Sequence, residues 1–67
     1  MFNTIRRVEQ LAAARNMSPW ELCLKCDIPT STFGNARARG GELGLYTCER
    51  IADALGITLA EFFTEEG

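Results

Sequence analysis

Two clear helix-start signals in this 67-residue chain predict a fold of short helices joined by short connections. The clearest is Ser-Pro-Trp-Glu at residues 18–21, a capping box with proline at the first helical position. A second capping box, Thr-Leu-Ala-Glu, occupies residues 58–61. Both are flanked by apolar residues at the spacing of a hydrophobic staple, Met17 with Leu22 and Ile57 with Phe62.

Apolar residues at helical spacing extend these signals to five predicted helices, and no strand pattern competes with them. Asn3 or Thr4 is expected to cap the first helix, and Gly56 to end the fourth. The outer side of the first helix is expected to carry Arg6, Arg7, Glu9 and Gln10. Residues 64–67 are expected to fray. The predicted fold is therefore all-α, a compact five-helix domain, with helices at about residues 4–15, 18–26, 30–38, 45–55 and from 58 onward.

The third predicted helix is weak by intrinsic propensity, because it contains Gly34 and begins with Thr-Ser-Thr. Its inner side is set by Phe33 together with either Ala36 or Arg37. Such a helix forms only when other elements pack on it, and a small, polar outer side suits close approach to another surface. That outer side consists of Ser31, Gly34, Asn35 and Ala38.

The size and composition of the chain exclude several classes of protein. Its 67 residues make one domain, residues 1–67, whose core buries only about 60% of the unfolded surface. With 46% hydrophobic and 24% charged residues the chain is ordinary globular protein, and no apolar run reaches the roughly 20 residues of a membrane span. The N-terminus does not resemble a signal peptide. A cytoplasmic domain without a ligand-sensing part is expected.

Catalysis and metal binding are both disfavoured by the residue types present. The sequence has no histidine, the commonest general base, so a non-enzymatic protein without a cofactor is expected. Cys23 and Cys26 form a C-x2-C pair and Cys48 is the third cysteine, but a structural zinc site needs four ligands, and only an acidic residue such as Asp27 is at hand. Core packing is the favoured role for the three thiols, with metal binding and redox chemistry as the alternatives.

Charge is distributed unevenly along the chain. The net charge is −2, yet residues 1–40 carry six cationic and three anionic side chains and residues 41–67 carry one cationic and six anionic. The two halves therefore have net charges of +3 and −5. Such a polarised domain can present a basic face to an anionic partner while remaining acidic overall.

Only about three residues separate the second and third predicted helices, the arrangement of a helix-turn-helix at about residues 18–38. At this point the chain resembles the Cro/repressor-type (XRE) helix-turn-helix domains of phage and bacterial regulators. The resemblance covers about residues 5–63, including the predicted C-terminal helix pair at about 45–64. It is carried by residues 17–28, by Ser-Thr-Phe at 31–33 and, most specifically, by Ile-Ala-Asp-Ala-Leu-Gly-Ile-Thr-Leu-Ala-Glu-Phe-Phe at 51–63.

The resemblance implies sequence-specific binding of double-stranded DNA and transcriptional regulation, with the third helix in the major groove. It places the base-reading positions on Thr30, Ser31 and Asn35, and asparagine can bond the edge of adenine bidentately. Their alternative role is that of a helix start and a solvated face. The expected phosphate contacts are Ser18, Trp20, Lys25, Arg37 and Arg39, where the alternative for Trp20 is plain packing.

A second hypothesis is that a domain of the same fold acts as a protein-interaction module with weak or no DNA binding. The acidic net charge supports it, as does Pro19, which stands where the family commonly has a glutamine that touches phosphate. On the DNA-binding hypothesis a homodimer is expected, since one recognition helix contacts few base pairs. The candidate dimer surface comprises the expected exposed apolar residues Leu43, Tyr46 and Phe63, with Leu45 beside them; core packing is the alternative for Leu45 and Phe63.

Overall fold

The computed structural model describes residues 3–40 and 42–64, which form five helices and no strand. The all-α prediction is confirmed for these residues, which pack into a body of 26 × 24 × 22 Å. The third and fourth helices have the predicted bounds, whereas the first ends two residues earlier than expected. The helices are α1 (Thr4–Ala13), α2 (Pro19–Lys25), α3 (Thr30–Ala38), α4 (Leu45–Leu55) and α5 (Leu59–Phe62).

Side-chain caps begin three of the helices. At α2 the capping box is complete: the Glu21 amide donates to Ser18 Oγ at 3.1 Å, and the Ser18 amide donates to Glu21 Oε1 at 2.9 Å. At α5 the Thr58 hydroxyl accepts from the Glu61 amide at 3.0 Å. At α1 the cap is Asn3, whose side chain accepts from the Arg6 amide at 3.0 Å. Local sequence therefore sets these starts.

Three helices end in the same way, with a left-handed residue whose neighbours close the last turn. Gly56 ends α4 at φ 70°, as predicted. Asn16 at φ 57° and Asp27 at φ 60° do the same after α1 and α2, because short polar side chains tolerate this conformation. After α2 the amide of Ile28 returns to the Cys23 carbonyl at 2.9 Å. The chain thus turns sharply between α2 and α3, which contact one another.

All five helices contribute to a single core. α1 packs on α2 and α3, and α4 packs on α5. On α3 the inner positions are Phe33 and Ala36, whereas Arg37 is exposed, which settles the alternative left open by the sequence. The largest fully buried side chains are Phe33, Phe62, Leu22, Ile51, Val8, Cys23 and Cys48.

Two residues expected to lie on the surface are buried. Leu43, a candidate for the dimer interface, is only 7% exposed, so that expectation is wrong. Its amide donates to Thr4 Oγ1 at 2.8 Å, which holds the segment before α4 against the start of α1 and turns the Leu43 side chain into the core. Arg7, expected on the outer side of the first helix, is 4% exposed.

Candidate nucleic-acid interface

The outer face of α3 presents small polar side chains to solvent. Thr30, Ser31 and Asn35 are all exposed. Within the described part of the chain, none of their side chains is engaged in a hydrogen bond or an ion pair. Their hydroxyl and amide groups are therefore available to an external partner, and asparagine carries both the donor and the acceptor that an adenine edge requires.

Cationic side chains precede and follow this face along the chain. Lys25 ends α2 and is exposed. Arg37 lies in the last turn of α3, with its Nη2 atom 3.8 Å from Oε2 of Glu9 on α1. Arg39 follows the helix, and its Nε donates to the Asn35 carbonyl at 3.3 Å. That bond is favourable because it places a cation at the negative end of the helix dipole.

The start of α2 lies against the middle of α3 through an aromatic contact. The Trp20 ring meets the Phe33 ring edge-on, with centroids 4.9 Å apart and an interplanar angle of 85°. Its outer atoms lie 3.8 Å from the position that a Cβ on Gly34 would occupy. The packing role of Trp20 is therefore present, and 38% of the residue remains exposed beside α3.

Ser18 combines a structural role with a position at the same end of α2. Its hydroxyl oxygen accepts from the Glu21 amide at 3.1 Å, and its own amide donates to the Glu21 carboxylate. The bonds from Ser18 to the Glu21 carboxylate also lower the pKa of that carboxyl. Ser18 and Trp20 are thus placed together at the N-terminus of α2, where a phosphate is favoured by the helix dipole.

Sequence reasoning missed a cluster that joins α4 to the turn before α3. Arg50 Nη2 lies 3.3 Å from Asp27 Oδ2, and Arg50 Nη1 donates to the Tyr46 hydroxyl at 3.0 Å. The Arg50 guanidinium also lies 5.8 Å from the Tyr46 ring centroid. The spacing of Tyr46 and Arg50 on one helix face is visible in the sequence, but the contact with Asp27 depends on the tertiary fold.

The three cysteines are core residues in the structure. Cys23, Cys26 and Cys48 are buried, and burial raises the pKa of each thiol, to about 11 for Cys48. Within the described residues, no three histidine, cysteine or acidic side chains come together as metal ligands. The three cysteines therefore pack as small apolar side chains in a helical core.

Exposed apolar side chains are present on α4, on α2 and after α5. Tyr46 is 70% exposed and Phe63 38%, so both remaining candidates for a dimer interface are accessible. Phe63 also packs edge-on against Phe62, with ring centroids 5.1 Å apart. Leu45, for which core packing was the alternative, is 61% exposed, and Leu24 is 68% exposed.

Among the described residues, no helix is both long and apolar enough to span a bilayer. In comparisons with known proteins, no family model, no curated protein and no solved structure matches this chain.

Proposed function

We propose that this domain is a sequence-specific DNA-binding regulator of transcription, in which α2 and α3 act as a helix-turn-helix and α3 enters the major groove. One observation carries the proposal. The outer face of α3 exposes Thr30, Ser31 and Asn35 without internal partners among the described residues, and the exposed cations Arg37 and Arg39 lie at its C-terminal end, with Lys25 at the end of the preceding helix. At protein–DNA interfaces some side chains commonly contact base edges, while others contact phosphates and position the protein.

The shape of α3 supports the same conclusion. An α-helix fits the major groove of B-DNA, and small outer residues allow its backbone to approach the bases closely. Position 34 is a glycine, which leaves room for the Trp20 ring to pack against the flank of α3 next to α2. The chain turns sharply at Asp27, and Trp20 near the start of α2 contacts Phe33 on this helix. We expect Ser18 and Trp20 to contact a phosphate from there.

The net charge of −2 does not oppose this function, because the distribution of charge matters more than the total. The cations named above belong to the basic part of the chain, residues 1–40. The acidic residues of the other part include Glu49 and Asp53, which lie on α4. We therefore expect the basic part of the chain, rather than the acidic part, to face a duplex bound at α3.

The test of base readout begins with selection of preferred sites from random duplexes, followed by binding measurements on the selected site and on random DNA. Asn35→Ala is expected to cost about 1–3 kcal/mol on the selected site and little on random DNA. Gln10→Ala, which removes an amide side chain from α1, is the matched control and should leave both affinities unchanged. Equal weakening on both DNAs would show that Asn35 does not read a base.

The phosphate contacts have a separate signature in the dependence of affinity on salt. Arg37→Ala and Arg39→Ala should each weaken binding to all sequences alike and lower the salt slope by about one unit. An unchanged slope in both variants would remove these arginines from the interface.

A second candidate function is favoured by the exposed apolar residues. Leu24 and Tyr46 are 68% and 70% exposed, which is typical of residues that contact a protein partner when they form part of a larger patch. A domain that fails to bind any duplex even at low salt would be assigned to this protein-interaction class instead.

A further inference from the structure

An open concavity of about 370 Å³ lies between the N-terminal part of α1 and the C-terminal part of α3. We propose that it seats a phosphodiester group of the DNA backbone, with Arg6 and Arg37 as its cationic walls. This inference rests on the DNA-binding function proposed above and adds α1 to the interface. The lining residues are Asn3, Ile5, Arg6, Glu9, Arg37 and Gly40.

The two arginines come from different helices but line the same space. Arg6 lies in the first turn of α1 and is exposed, on the side of the helix away from its buried neighbour Arg7. No hydrogen bond or ion pair within the described residues engages the Arg6 side chain. A guanidinium offers five donors and remains charged at all relevant pH values, so an unengaged Arg6 beside Arg37 favours an anion.

Glu9 is the anionic group already present in this concavity. Its carboxylate lies 3.8 Å from Arg37 Nη2, which is too long for a hydrogen bond, and the two side chains are 39% and 56% exposed. Such a solvated ion pair contributes little to stability, so a phosphate can displace it at small cost. In the free protein Arg37 faces Glu9 on α1, and in the complex the phosphate becomes the partner of Arg37.

The position of the concavity along α3 suits a DNA strand. Gly34 and Arg37 are three residues apart and so lie on the same flank of the helix. Trp20 covers that flank at Gly34, and the concavity opens one turn later at Arg37. A DNA backbone following this flank meets the start of α2 and then the start of α1. Phosphate contacts to two elements fix the register of α3 in the groove.

The experiment compares two exposed arginines of the first helical segment. Arg6→Gln removes a wall of the concavity, whereas Arg15→Gln removes the same charge beyond the other end of α1. Affinity for a random-sequence duplex is measured over a range of salt concentrations, after unfolding curves have shown that both variants fold. Arg6→Gln should lower the salt slope by about one unit and weaken binding about tenfold at low salt. Arg15→Gln should leave the slope unchanged.

Glu9→Gln provides the opposite signal from the same concavity. Removing the carboxylate should strengthen duplex binding about threefold, because Arg37 no longer has a competing anion. Suppose that the unaltered protein binds DNA. Equal salt slopes for Arg6→Gln and Arg15→Gln would then overturn the proposed phosphate site alone, and so would the absence of any gain in affinity from Glu9→Gln. Absence of duplex binding by the unaltered protein would overturn the proposed function and the site together.

Discussion

Arg7 joins the two ends of the described chain through one buried guanidinium. Its Nε donates to the Phe62 carbonyl at 2.7 Å and its Nη2 donates to the Glu61 carbonyl at 3.0 Å. These carbonyls belong to the last two residues of α5, where helical acceptors lack partners further along the helix, although the Glu61 carbonyl also accepts from the Thr64 amide at 3.1 Å. A cation at a helix C-terminus is also favoured by the helix dipole. Arg7 therefore holds the single turn of α5 onto α1.

At the residue scale we expect Arg7→Met to destabilise the domain by about 2–4 kcal/mol, because two carbonyl acceptors lose charged donors. Urea unfolding measures the change. Arg6→Met is the matched control, since it makes the same substitution at the adjacent exposed position and should change stability by less than about 0.5 kcal/mol. Equal losses in the two variants would contradict the role assigned to Arg7.

At the scale of elements, α3 depends most on its neighbours. Its N-cap is Pro29, which offers no side-chain hydrogen bond, and Gly34 lies at its centre. The helix is held instead by the burial of Phe33 and Ala36 and by the edge-on contact of Trp20. The element proposed to read DNA is thus weak in intrinsic propensity and is stabilised by its tertiary contacts.

The weak intrinsic propensity of α3 predicts that Gly34→Ala stabilises the domain by about 0.5–1 kcal/mol, since alanine has the higher helix propensity. The added methyl group fits, because its nearest neighbours on Trp20 lie at 3.8 Å, an ordinary contact distance. Thermal and urea unfolding measure the effect. Gly44→Ala is the control: Gly44 is the N-cap of α4, a position where glycine is preferred to alanine, so no gain is expected there. A loss of stability in Gly34→Ala would show that Trp20 packs too tightly to admit the methyl group.

At the scale of the whole molecule, the proposed DNA-binding function depends on how many recognition helices contact the DNA. A single recognition helix contacts few base pairs, and specific DNA affinities are typically about 10⁻⁸ M or tighter. Helix-turn-helix proteins commonly reach them as two-fold dimers on half-sites about one DNA turn apart. Because Leu43 is buried, the exposed apolar residues of the candidate dimer interface are Tyr46, Phe63 and the adjacent Leu45.

We therefore expect a homodimer that tightens on a palindromic duplex, measured by sedimentation with and without DNA. Tyr46→Ser should reduce the dimer fraction, because it removes the most exposed aromatic ring of the candidate surface. Leu24→Ser, at a similarly exposed position on α2, is the control and should leave assembly unchanged. A strict monomer that binds one half-site tightly would refute the dimer.

The part of this structure that the sequence determined by itself is local. Ser18 with Glu21, and Thr58 with Glu61, begin helices through bonds between residues three apart, and Gly56 ends one through its own backbone freedom. The bounds of α3 and α4 and the exposure of Asn35 follow from helical periodicity. These interactions form between near neighbours, so residue type and spacing are enough to predict them.

The tertiary structure decided everything that joins distant segments. The Arg7 side chain donates a hydrogen bond to a carbonyl 55 residues away along the chain. The amide of Leu43 donates to the hydroxyl of Thr4, 39 residues away. The concavity of Arg6 and Arg37 likewise exists only where α1 meets α3. Periodicity shows which side of a helix is apolar, but it does not show where a charged side chain on the border will find buried acceptors. That depends on the packing of whole helices, which no local pattern in the sequence contains.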